Sequence, residues 1–76
     1  MIRNQNITKR EKQILNLISQ AKNRRVIALE LNISINTLDK HLHHIHIKTN
    51  TRSSSELILW ILSNKDKIYN DLITNE

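Results

Sequence analysis

The chain has 76 residues, twelve Lys and Arg against seven Asp and Glu, a net charge of +5, and no Cys, Gly or Pro. That length allows one small domain, near the lower limit for an autonomous core. Without cysteine there are no disulfides or thiolate zinc sites, and without glycine tight β-hairpins are hard to form, so an all-α fold is expected.

Residues 1–6 are mostly polar. Thr8-Lys-Arg-Glu11 then reads as a capping box: the Thr8 hydroxyl accepts the amide of Glu11, whose carboxylate reaches back to the amide of Thr8. Ile7, just ahead of the cap, is placed to act as a hydrophobic staple. Ile14, Leu15, Leu17 and Ile18 continue as an apolar face, which predicts a first helix over about 8–20. Ala21-Lys-Asn23 breaks the pattern, and Asn23 can cap a second helix over 24–31, with Ile27, Ala28 and Leu31 facing inward. Asn32 can take a left-handed turn in place of glycine.

Ser34 is a good N-cap for a third helix over 35–49, with Leu38, Leu42 and Ile45 as its apolar stripe. Its other face carries Asn36, Asp39, Lys40, His43 and His44, side chains able to hydrogen-bond with base edges and phosphates. Helix, tight turn, helix is the arrangement that places a second helix in a DNA major groove. The polar break at residues 50–55 contains the cap of a fourth helix over 54–62. Leu57-Ile-Leu-Trp-Ile-Leu62 is apolar all round, so it needs cover on every side. That cover is either a second copy or the tail, where residues 65–74, with Ile68, Tyr69, Leu72 and Ile73, are compatible with a short fifth helix that folds back.

Charge is uneven along the chain. Residues 1–52 hold ten Lys and Arg against only Glu11, Glu30 and Asp39, net +7, and residues 53–76 carry net −2. A basic body with a mildly acidic tail suits a polyanionic partner on the first part. A basic but merely solvated surface fits the charge equally well.

The four histidines, His41, His43, His44 and His46, include pairs at i, i+3, but a zinc site needs further ligands that the neighbouring sequence lacks, so no metal is expected. Histidines near a groove would add positive charge as pH falls and strengthen DNA binding. Ser53-Ser54-Ser55 has no positioned base nearby, so a helix cap is the better reading than a nucleophile. No glycine-rich phosphate loop or paired carboxylates occur, so neither an enzyme nor a cofactor or small-molecule site is expected.

These pieces resemble, in order and spacing, the LuxR-type (GerE-like) helix-turn-helix domain of bacterial transcription regulators. The matching residues are Thr8-Lys-Arg-Glu11, Ile14 to Ile18, Ile27-Ala28-Leu-Glu-Leu-Asn-Ile-Ser34, Thr37-Leu-Asp-Lys-His41, Ile45-His-Ile-Lys48 and Ser55-Glu-Leu57. The resemblance covers about residues 7–62, so the expectation is a single domain over 1–76 with its core in that range and a tail over 63–76. It implies four helices, double-stranded DNA as partner, and a homodimer formed through the fourth helix.

Asn36, Asp39, Lys40 and His43 are then the candidates for base edges, and Arg24, Arg25, Thr37, His44 and Lys48 for phosphates. Because the resemblance puts Leu57 and Ile61 in the core, Leu59 and Trp60 become the candidates for the dimer interface. Four positions depart from the family pattern. Ala21 stands where glycine is usual, Val26 replaces an acid or polar residue, and Asp39 and Ser54 replace residues that are commonly basic. Larger family members carry an N-terminal receiver or ligand-binding domain, and both a stand-alone regulator and a fragment of a larger one fit this sequence. A cytoplasmic location is expected, since the N-terminus lacks the apolar core of a signal peptide and no apolar run reaches roughly 18 residues. A second reading makes the chain a protein-interaction module or anti-regulator that binds a partner through the apolar residues 57–62.

Overall fold

The computed structural model describes residues 7–65. Among these the fold is four helices: α1 (Lys9–Ser19), α2 (Arg24–Leu31), α3 (Ile35–Thr49) and α4 (Ser54–Ser63). The all-α expectation holds, with helix bounds within a residue of those read from the sequence. The suggested fifth helix in the tail lies outside the described residues.

Each helix starts where a short polar side chain can satisfy an orphan backbone amide. Thr8 Oγ1 accepts from the Glu11 amide at 3.1 Å, and Glu11 Oε1 accepts from the Thr8 amide at 2.9 Å, so the capping box is complete. Asn23 and Ser34 accept from Val26 and Thr37 at 2.9 and 3.0 Å. Ser53 caps α4 through the Glu56 amide at 3.1 Å, and Glu56 Oε1 accepts from the Arg52 amide at 2.8 Å.

The ends of α1, α2 and α3 share one solution reached without glycine. Ala21, Asn32 and Asn50 have φ of 66°, 58° and 58°. Around each, two backbone bonds close a Schellman motif: Ala21 and Lys22 donate to Ile18 and Leu17, Asn32 and Ile33 to Leu29 and Ala28, Asn50 and Thr51 to Ile47 and His46. Asparagine tolerates this left-handed region, whereas alanine is disfavoured there by about 1 kcal/mol relative to glycine. The αL geometry at Asn50 is further held by side chains. Thr49 Oγ1 donates to the Ile45 carbonyl at 2.8 Å, and Thr51 Oγ1 lies 2.9 Å from Thr49 Oγ1 and 2.7 Å from His46 Nδ1.

Every helix gives two apolar residues to the buried core: Ile14 and Leu15, Ile27 and Ala28, Leu38 and Ile45, Leu57 and Ile61. Leu17, Ile18, Leu31, Ile33, Leu42 and Trp60 pack around them, partly buried. Helices α1 and α3 each touch all three others, and α2 packs against both of them. The small side chain of Ala28, only 4% exposed, leaves room for close helix packing there.

Among the described residues one charged side chain lies inside. Glu11 is 3% exposed, and its two carboxylate oxygens receive Lys48 Nζ at 2.9 and 3.2 Å. The partners are 37 residues apart, so this bond ties the start of α1 to the end of α3. Burial pushes the Glu11 carboxyl up, but the hydrogen bond from Lys48, the Thr8 amide and the Lys48 charge outweigh it and hold its pKa below the ordinary value.

Candidate nucleic-acid interface

Helices α2 and α3 meet through three residues. Asn32 turns the chain left-handed, Ile33 tucks against the core, and Ser34 caps α3. Leu38 and Ile45, spaced seven residues apart, pin α3 to the core, so the opposite face of the helix must look outward. That face carries Asn36, Thr37, Asp39, Lys40, His43 and His44, all exposed. Asn36, Lys40 and His43 form a single stripe along it, at i, i+4 and i+7.

Arg24 and Arg25 occupy the first turn of α2 and are also exposed. With Asn23 and Ile35 they line a shallow concavity where the two helix starts approach. A second concavity is lined by Asp39, Lys40, His43 and His44. The two helix starts are joined by an ion pair, with Arg24 Nε 3.2 Å from Asp39 Oδ1 and Arg24 Nη2 3.5 Å from Asp39 Oδ2. The Ser34 hydroxyl donates to the Thr37 hydroxyl at 3.0 Å. The His43 and His44 rings are neighbours, with centroids 5.9 Å apart.

The fold therefore brings nearly all the sequence-predicted DNA residues to one side of the α2–α3 unit. Lys48 differs from the rest: it is partly buried, with its ammonium on Glu11. All three acids of the basic half have cationic partners, since Glu30 pairs with Lys22. Arg25 and Lys40 make no ion pair among the described residues. His46 is engaged with Thr51. Among the described residues no cluster of three or more His, Cys, Asp or Glu could hold a metal ion, and no helix is long and apolar enough to cross a membrane.

Helix α4 presents a separate surface. Leu57 and Ile61 face the core, as expected, and Leu59 is 64% exposed. Trp60, expected to point outward, packs partly against the core. Ile58 and Leu62 share the outward stripe with Leu59. The sequence reading missed both, although their i, i+4 spacing, one residue on from the Leu57 and Ile61 pair, was available to find them. Leu29 on α2 and Ile47 on α3 are further exposed apolar residues that the periodicity did not single out.

Two helices joined by a tight left-handed turn, the second with an open polar face, define a helix-turn-helix domain. The chain belongs to the luxR family of bacterial regulatory proteins, whose sequence pattern (GerE) matches residues 5–61. This is a family of DNA-binding regulators rather than of enzymes. Among similar proteins are a "Probable transcriptional regulator ycf29" of Cyanophora paradoxa, 41% identical over 59 residues, and an "Oxygen regulatory protein NreC" of Staphylococcus epidermidis, 37% identical over 59 residues. A ycf29 protein of Porphyra purpurea is 36% identical over 58 residues. These alignments take in 78%, 78% and 76% of this chain but only 28%, 27% and 28% of those relatives. The chain thus spans little more than a quarter of their length. No solved structure matches it.

Proposed function

We propose that this domain binds double-stranded DNA sequence-specifically and regulates transcription, with α3 entering the major groove and α4 pairing two copies. The observation that carries the DNA reading is the exposed stripe Asn36, Lys40 and His43 on a helix whose other side is locked into the core. Side chains of these types reach base edges, and the exposed Arg25, Thr37 and His44 are of types that bind phosphate. Binding to fluorescent duplexes at several salt concentrations tests it. Lys40→Ala weakens binding several-fold. A variant that binds like the parent at moderate salt removes Lys40 from the interface, and a parent that binds no duplex refutes the reading.

The homodimer rests on Ile58, Leu59 and Leu62, a contiguous apolar stripe in water on a monomer this small. A two-fold dimer reads half-sites about 10 base pairs apart and doubles the phosphate contacts. Sedimentation checks this: the parent associates with rising concentration, and Leu59→Glu remains monomeric while folded. A parent that stays monomeric, yet binds two half-sites no better than one, refutes the dimer.

A further inference from the structure

The Arg24–Asp39 pair has no obvious structural purpose. Its side chains are 57% and 48% exposed, and an ion pair that open to water adds little to stability. Both helices are already anchored through Ile27, Ala28, Leu38 and Ile45. What the pair does change is the charge this face presents. Asp39 is the one acid on the outward face of α3, beside Lys40 and one turn before His43. Alone, its carboxylate would repel every phosphate. Arg24 alone, at the first position of α2, would attract every phosphate regardless of sequence. Held side-on, Nε to Oδ1 at 3.2 Å and Nη2 to Oδ2 at 3.5 Å, the two charges cancel at the longer range of a DNA backbone.

We infer that Arg24–Asp39 is a charge-cancelling pair that removes one sequence-blind phosphate attraction from the interface, so that Asp39 sets the strength and salt dependence of DNA binding through Arg24 instead of reading a base. This rests on the proposed DNA reading of the face. Specificity is a difference of affinities, and a sequence-independent term adds equally to every duplex, so the pair lowers overall affinity and its salt dependence while the ratio between sequences stays with the base contacts. Lys40 and Arg25, which make no ion pair among the described residues, keep the general attraction.

The test uses the parent, Asp39→Asn, Arg24→Ala and the double variant. Each is titrated onto two fluorescent 24-base-pair duplexes across a salt series. One duplex is selected by the parent from a randomised library, and the other is its scrambled sequence. Thermal melts confirm that all four proteins are folded, as expected for changes at exposed positions. Asp39→Asn binds the scrambled duplex more tightly, and its log–log salt slope steepens by about one unit because a cation has been released to the phosphates. It tightens binding to the selected duplex by a similar factor, so the ratio of selected to scrambled affinity stays near the parent's, and selection with the variant returns the parent's bases. Arg24→Ala, left with a lone carboxylate, binds both duplexes more weakly than the parent. The double variant returns to the parent's salt slope, since removing a neutral pair removes no net charge. A slope for Asp39→Asn equal to the parent's overturns the inference. So does a change of preferred base at one position, which would make Asp39 a direct reader. A parent that binds neither the library nor either duplex fails earlier, at the DNA reading itself, and the inference falls with it.

Discussion

Helix α3 carries two ion pairs of similar length in opposite surroundings. At its C-terminal end Lys48 reaches Glu11, whose side chain is 4% exposed, and near its start Asp39 meets Arg24, both about half in water. The chemistry is the same, a carboxylate and a nitrogen cation about 3 Å apart, but water decides what each does. A charge enclosed by the core must be paired or the fold suffers. A charge pair in water is nearly neutral for stability and is free to shape what the surface attracts. One face of α3 is thereby fixed to the scaffold, and the other is left open to water.

The sharpest way to break that contrast is to remove the cation from each pair. Lys48→Ala leaves the Glu11 carboxylate buried without its ammonium and lowers unfolding free energy in urea by about 2–3 kcal/mol, somewhat below the range for a wholly buried pair because Lys48 is partly exposed. Arg24→Ala changes it by less than about 0.5 kcal/mol. Equal losses would show that the two pairs are not different in kind. Lys48→Ala also weakens DNA binding, but in step with the unfolded fraction, and cooling that restores the fold restores most of the binding.

Acid sharpens the contrast further. The Glu11 pKa is depressed in the folded state, so its contribution is present above the unfolded glutamate value of about 4.3 and is lost as pH falls through the lower, folded value. Stability therefore drops on acidification across that window. Glu11→Gln, which cannot ionise, is less stable near neutral pH and shows a shallower acid dependence. Urea unfolding at a series of pH values checks both, and parallel curves for parent and variant would assign the acid sensitivity elsewhere.

The smallest expected effect concerns the scaffold's turns. Ala21→Gly relieves the left-handed strain at φ 66° and stabilises by about 1 kcal/mol. Asn32→Gly and Asn50→Gly gain less, because asparagine already tolerates that region. DNA affinity is unchanged by Ala21→Gly, since the substitution removes only a methyl group and no proposed contact. A thermal melt without an upward shift would show that Ala21 is accommodated without strain.

Much of this molecule was legible before any coordinates. Helix starts are decided within four residues, so Thr8 with Glu11, Asn23, Ser34 and the serine run announced them locally. The apolar stripes through Ile14, Ile27, Leu38 and Leu57 announced which faces turn inward, because helical period alone puts those side chains on one side. The outward side of α3 followed by elimination, and with it Asn36, Lys40 and His43. What the sequence could not state was which charges find each other across helices. Lys48 and Glu11 are 37 residues apart and Asp39 and Arg24 are 15 apart, so their meeting depends on crossing angles that only the packed core sets. The same is true of α4, where six consecutive apolar residues hide the period. Only the position of the core beneath Leu57 and Ile61 turned Trp60 partly inward and left Ile58, Leu59 and Leu62 facing water.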